Sequence, residues 1–404
     1  VNKKYSLILT DIRGDGMRNF NYNQPTRIMF GWGRVSEIGK VISRYGKRCL
    51  LVTVKSFPAL QPLFEKVKNL CNEAGVEIFH FDEVIPSPTI DSINLATKMA
   101  IENKIDVVLG VGGGSSIDTA KAVAVGATHE GRVWDYRLGQ KRIDNKKVLP
   151  IISVPTTAGT GADVTNMSVV KSSNEKFKSA LADWSLCSRV SIIDPELTLT
   201  LPPHITASTG FDAFCHLFES YINKNASHYF ELIALDSIKL VIKYLPSIVK
   251  QGANREAREA LSMASTIGGI CIANLGTTLP HGIGMAVGGH TDNIMHGEAL
   301  AIMYPEINRW TWKHAISKYA TVGRLFNPDL ENKPDEIAAE KSCDEMDKFL
   351  KNIGMWMDFN DKNVPETDLK IIADDSIKLR NYTLHPKVAI LEEINQLLKQ
   401  SYKR

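Results

Sequence analysis

Several things are scarce in this chain of 404 residues. Charge of one sign is nearly absent, since 48 Lys and Arg face 45 Asp and Glu for a net +3. That even scatter supplies no basic stripe, which argues against nucleic acid as a partner. No stretch approaches the roughly 18 consecutive apolar residues of a membrane helix. The opening VNKKYSLILTDIRGDG has too short an apolar run and no small-residue cleavage site, so it does not read as a secretory signal. The expected location is the cytoplasm. Cysteines number six, at 49, 71, 187, 215, 271 and 343, without a CxxC pair. This excludes a zinc knuckle or dithiol redox centre and reads as buried free thiols. Repeats and low-complexity tracts are missing too, which removes solenoids from consideration.

What is present is a change of texture near residue 195. Before it, β-branched runs (RCLLVTV, VEIFHFDEV, DVVLGV, KVLPIISVP, RVSIID) alternate with helical stretches (PLFEKVKNLCNEAG, SINLATKMAIENK). That alternation predicts βαβ units around a mostly parallel sheet. After Asp194-Pro195 the strand-like runs nearly vanish, and segments such as YFELIALDSIKLVIKYL carry apolar residues at helical spacing. The expectation is an α/β domain with a mostly parallel sheet over 1–195, an all-α domain over 196–404, and a ligand cleft between them.

Three segments carry chemistry. In DVVLGVGGGSSIDTAKAVAV, Gly112, Gly113 and Gly114 follow a strand and lead into a helix expected to begin near Ser116. Bare backbone amides at a helix N-terminus suit a phosphate. The pattern is neither GxGxxG nor GxxxxGK[ST]. After IISVP, the loop Thr156-Thr157-Ala158-Gly159-Thr160-Gly161-Ala162-Asp163-Val164-Thr165 offers hydroxyls and amides at another strand end. Asp212 and His216 lie four apart on one helix face, with Ser208 or Thr209 as a candidate cap, and His281, His290 and His296 follow in a glycine-rich stretch. One carboxylate with two or three imidazoles suits Fe²⁺ or Zn²⁺. The Asp-His pair alone reads equally as a helix-face contact.

Together these segments resemble the iron-containing alcohol dehydrogenase family, whose fold is shared with dehydroquinate synthase and glycerol dehydrogenase. GGGSSIDTAKA, VPTTAGTGADVT, DPELTLTLPPHITASTGFDAFCHLFESY and LPHGIGMAVGG with MHGEALAIMYP occur in the family's order from about residue 25 onward. The resemblance implies metal ligands at Asp212, His216, His281 and His296. It implies dinucleotide contacts at Gly113, Gly114, Ser115, Asp118, Thr156, Thr157, Thr160, Thr165 and Lys178. It further implies hydride transfer between NAD(H) or NADP(H) and a primary alcohol or aldehyde, in a homodimer or larger homo-oligomer.

The chain departs from the family pattern at three places. Val54, followed by Lys55 and Ser56, stands where an Asp is common, which should admit NADP(H). Met285 replaces a histidine four residues after the third ligand, and His290 is a candidate to take its place as relay or ligand. Pro86-Ser87-Pro88 has a hydroxyl where an amide is usual. The substrate pocket is expected around Phe211, Phe214, Met285 and 360–385. The first seventeen residues are expected to be an arm or a lead. Two other readings remain: a polyol dehydrogenase or lyase of the same fold, and a dinucleotide- and metal-binding sensor without turnover.

Overall fold

The computed structural model describes residues 18–404. The seventeen residues proposed as an N-terminal arm lie outside the described residues. The first half supplies eight strands: β1 (Arg27–Phe30), β2 (Arg48–Val54), β3 (Glu77–Val84), β4 (Val107–Gly112), β5 (Ile151–Pro155), β6 (Met167–Ser172), β7 (Phe177–Ala182) and β8 (Val190–Ile193). Between them run α1 (Ile38–Ile42), α2 (Gln61–Glu73), α3 (Ile90–Glu102) and α4 (Gly114–Gly126).

Six strands form one parallel sheet in the order β1-β8-β5-β4-β2-β3. After β2 the chain moves outward to β3 and then returns to β4 on the other side of β2. The strand order therefore reverses between β2 and β4, the place where open α/β sheets receive ligands at their carboxyl ends. Alternation along β2 sorts its side chains between two cores. Leu50 and Val52 join the layer containing Ile93 and Val123, whereas Cys49 and Leu51 join the one containing Phe64 and Val67. The sheet is covered on both faces, and β4 is buried throughout.

Two features were absent from the sequence reading. β1 is a four-residue edge strand beside β8, too short for its alternation to stand out. β6 and β7 form a separate antiparallel pair that packs on α4 and on the helical half.

That half contains α5 (Pro203–Ile222), α6 (His228–Lys250), α7 (Arg255–Leu275), α8 (Leu279–His290), α9 (His296–Thr311), α10 (Ile316–Phe326), α11 (Asp335–Asn352), α12 (Leu369–Lys378) and α13 (Leu391–Gln400). At its centre lies α5, nearly all of whose residues are buried, packed by α6, α7 and α9. Neither Ser208 nor Thr209 caps this helix. It begins earlier, behind Pro202 and Pro203, whose fixed φ suits a first turn, and Thr209 Oγ1 donates back to the Ile205 carbonyl at 2.9 Å. Helix α4 likewise begins at Gly114 rather than near Ser116.

All six cysteines are buried and free, as expected. Among the described residues no single helix is long and apolar enough to cross a membrane.

Candidate metal and dinucleotide site

The carboxyl ends of β4 and β5 bring the two polar loops face to face. The Thr156 amide donates to the Gly112 carbonyl at 2.9 Å, so the glycine turn and the threonine loop leave the sheet in register. A Cβ on Gly113 would come within 3.3 Å of the Thr157 side chain, and one on Gly114 within 2.9 Å of Thr160. The glycines therefore let two threonine hydroxyls close over the N-terminus of α4 and make a polar cradle from backbone and hydroxyls.

The candidate dinucleotide residues divide by accessibility. Gly113, Gly114, Ser115, Asp118, Thr157 and Thr160 are half-buried at the cradle, whereas Thr156 and Thr165 are buried. The Thr165 hydroxyl is already engaged by the Ala162 carbonyl and by Lys121. Loss of water around the Asp118 carboxyl raises its pKa to about 6, against the pull of Lys121 and Lys178.

Lys121 is a residue that sequence reasoning missed, although it stands inside GGGSSIDTAKA. Fully buried, its ammonium donates to the carbonyls of Ala162 (2.6 Å), Thr165 (2.6 Å) and Met167 (2.9 Å) and to Thr165 Oγ1 (3.1 Å). The ammonium thus ties α4 to the far end of the threonine loop.

The same loop touches the helical half. A Cβ on Gly161 would fall 2.4 Å from Gly269 Cα in α7, and the Gly159 carbonyl meets His216 Nδ1 at 3.3 Å. Lys178, on β7, is buried within electrostatic reach of the Asp118 and Asp212 carboxylates. Burial lowers its pKa and the two acids oppose that shift. Its Nζ donates to Ser87 Oγ at 3.3 Å. Ser87 itself holds φ 54°, a left-handed conformation that asparagine tolerates better than serine. That gives a backbone reason for the amide usual at this position.

Three helices build the metal candidate. Asp212 and His216 share a face of α5, His281 comes from the first turn of α8, and His296 opens α9. Asp212, His216 and His281 offer ligand atoms within 4.8 Å of one another. Asp212 Oδ1 lies 3.4 Å from His281 Nε2, 3.8 Å from His216 Nε2 and 3.8 Å from His296 Nε2. His296 stands beside the mutual set rather than in it, and its side chain is 28% exposed.

Two donor atoms on a tetrahedral ion at about 2.1 Å would be roughly 3.4 Å apart, close to these separations. Asp212 Oδ1, His281 Nε2 and His296 Nδ1 are buried without a hydrogen-bond partner, a costly condition that a cation facing Oδ1 and Nε2 would relieve. The residues present therefore fit a divalent metal.

The electrostatics agree with the geometry. Burial favours protonation of Asp212, yet His216 and the other two imidazoles hold its carboxyl well below the usual range. Burial depresses the pKa of His216, leaving a neutral ring. For His281 burial acts the same way but is overridden by Glu219 and Asp212, which raise the ring to about 9. Two buried carboxylates thus converge on one imidazole and call for positive charge.

Glu219 was also overlooked. It follows Asp212 by seven residues and His216 by three, on the same face of α5, so the helical spacing D-x3-H-x2-E was legible.

Other expectations are corrected. His290 does not join the cluster, and its Nε2 pairs instead with Asp375 at 2.8 Å. Nine residues of helix place it about 13 Å along the axis from His281. Phe211 and Phe214 are not at an open pocket. They are buried in the aromatic core with Phe218 and Tyr304, on a flank of α5 away from the ligand atoms. Met285 is half-buried one turn beyond His281, and in the 360–385 segment Asn381 packs on Gly282.

A doubly covered parallel sheet carrying a polar cradle, joined to a helical layer carrying a carboxylate–imidazole cluster, has the form of a dinucleotide-binding domain beside a metal-binding one. Residues 25–195 match the family model for iron-containing alcohol dehydrogenase, and residues 206–402 match that for the C-terminal region of the same family. The chain belongs to this family.

Among its relatives, 1,3-propanediol dehydrogenase of Klebsiella pneumoniae is 31% identical over 95% of this chain and 99% of its own length. NAD-dependent methanol dehydrogenase of Bacillus methanolicus is 29% identical over 94% of this chain and 99% of its own. The crystal structure of an archaeal halo-thermophilic alcohol dehydrogenase from a Red Sea brine pool superimposes with a TM-score of 0.90 at 28% identity, covering 95% of this chain and all (100%) of that one. The chain is an NAD(P)-dependent, metal-dependent enzyme that oxidises alcohols and reduces aldehydes.

Proposed function

We propose that this enzyme interconverts primary alcohols and their aldehydes with ferrous iron held by Asp212, His216, His281 and His296, and that it accepts NADP(H) as well as NAD(H). Zinc is the competing ion for this ligand set. The observation that carries the metal assignment is Asp212 Oδ1, buried without a hydrogen-bond partner and faced by three imidazole nitrogens. Relatives named for methanol, 1,3-propanediol, butanol and long-chain alcohols support an alcohol as substrate.

The chain's own residues then have distinct tasks. Gly113, Gly114, Ser115, Asp118, Thr156, Thr157, Thr160 and Thr165 form or brace the dinucleotide cradle. Lys178 lies close enough to Asp118 of the cradle and Asp212 of the cluster for both carboxylates to oppose the lowering of its pKa by burial, and its side chain serves the dinucleotide. Asp212, ionised and dry, supplies the negative charge that holds a divalent ion, and the depressed pKa of His216 keeps that ring ready to donate its lone pair. An ion held there would supply Lewis-acid polarisation of the substrate oxygen, and a nicotinamide held by the cradle would supply the hydride chemistry. Burial of Asp212, His216 and His281 limits the access of water to the cluster.

Lys55 and Ser56, exposed at the carboxyl end of β2, carry the coenzyme proposal. With Val54 in place of an Asp, and a cation and a hydroxyl following it, this strand end carries no carboxylate of its own to repel a 2′-phosphate. A division at residue 195, assembly as a homodimer or larger, and a cytoplasmic location complete this reading.

The test is a side-by-side Michaelis analysis on protein stripped of metal and reloaded anaerobically with Fe²⁺, using NADPH and NADH against short aldehydes. Expected are iron-dependent turnover, NADPH at least equal to NADH in kcat/KM, and a loss of about tenfold for NADPH in Val54→Asp. A clear NADH preference would overturn the coenzyme assignment. Absence of iron-dependent turnover with either would overturn the reaction.

A further inference from the structure

Glu219 has no solvent exposure, and each of its oxygens is committed. Oε1 receives His281 Nδ1 at 2.6 Å and Tyr304 Oη at 3.3 Å. Oε2 receives the Thr278 amide at 2.6 Å and the Thr278 hydroxyl at 3.0 Å. Thr278 is the residue from which α8 starts, and His281 lies in the first turn of that helix. One carboxylate on α5 thus grips both the end of α8 and the ring that α8 presents.

The other ring nitrogen of His281, Nε2, faces Asp212 Oδ1 at 3.4 Å with no hydrogen-bond partner. A neutral imidazole bears its proton on one nitrogen and its lone pair on the other. A carboxylate fixed 2.6 Å from Nδ1 holds a proton there, so the proton that a bound cation displaces is the one on Nε2, and the lone pair it frees points toward Asp212.

We propose that Glu219 is a positioning residue of the metal centre: it fixes the tautomer and the ring orientation of His281, so that Nε2 reaches the ion without rearrangement. This inference rests on the metal-site reading above. Carboxylates behind ligating histidines orient the ring and raise its basicity, and their loss typically weakens metal affinity by 10–100-fold. Replacement by glutamine keeps the volume but cannot serve both sides. With its oxygen toward His281 its NH₂ opposes the Thr278 N–H, and the flipped amide places NH₂ against Nδ1.

The test is Co²⁺ affinity by competition with a chelator, alongside the NADPH dissociation constant, for wild type and Glu219→Gln. The expected result is a 10–100-fold weaker Co²⁺ affinity in the variant with NADPH binding unchanged. Equal Co²⁺ affinity in the two proteins would overturn the inference and leave the metal site standing. Failure of the wild type to bind Co²⁺ would remove the metal reading itself, and this inference with it.

A second measurement needs no folded variant at position 219. In ¹⁵N-histidine spectra of the zinc-loaded wild type, with His281 assigned by its loss in His281→Gln, Nδ1 should carry the proton and Nε2 should show the metal-bound shift. A proton on Nε2, or metal on Nδ1, would contradict the proposal.

Discussion

The two halves of this enzyme make their sites in different ways. The cradle at the ends of β4 and β5 comes from two unbroken stretches of chain, 112–118 and 156–165, and much of what it offers is backbone. The cluster comes from side chains on α5, α8 and α9, with Asp212 and His296 separated by 84 positions and brought together only by packing. A cradle of amides and hydroxyls tolerates the loss of one contact, whereas a cluster of three or four ligands does not. The cradle should therefore fail by losing its shape, and the cluster by losing a single atom.

Lys121 gives the sharpest way to break the first half alone. In Lys121→Met, three carbonyl oxygens of the 162–167 segment lose a buried charged donor, at a cost of roughly 1–3 kcal/mol each. The expected outcome is a lower melting temperature and NADPH affinity reduced more than about tenfold, with Co²⁺ still bound, since no metal candidate touches this lysine. Dinucleotide and metal titrations of the variant would check both parts. Equal loss of both ligands would mean that the two sites are not separable as described.

His385 probes the helical half more gently. Its ring is buried, with Nδ1 at 3.0 Å from Thr278 Oγ1 and Nε2 at 2.8 Å from Thr311 Oγ1. Burial pushes its pKa down to about 3 from 6.5, with the Glu219 charge opposing. Because the folded pKa is depressed, the unfolded chain binds the proton first. This contribution to stability is complete above pH 6.5 and is lost progressively as the pH falls toward 3. By pH 5 the loss should reach about 2 kcal/mol. Urea unfolding from pH 8 to 5 should show this slope, and His385→Gln should flatten it.

Much of the architecture was legible because it is local. A short β-branched run placed β2 with its observed ends, and three glycines after a strand marked the turn at the switch point. β1 and the β6–β7 pair escaped because a four-residue edge strand is too short to show alternation and several buried positions of the hairpin are polar, among them Ser168, Lys171, Lys178 and Ser179. The cluster was legible through type and spacing, with the resemblance selecting His296 over His290. Nothing local distinguishes those two histidines. The direction of α8 carries His290 to Asp375 and away from Asp212. Lys121 and Glu219 were overlooked for a shared reason: a charged residue in a helix reads as a solvated face until its burial is known.

The central claim is that Asp212 and its imidazoles form one divalent-metal site. Titration of metal-stripped enzyme with Co²⁺, followed by its visible d–d absorption, tests this most directly. The account predicts saturation at about one equivalent with the intense bands of a low-symmetry, near-tetrahedral site, and no such bands in an Asp212→Ala variant that still binds NADPH. Stoichiometric binding that survives Asp212→Ala, or no binding by the wild type, would contradict it.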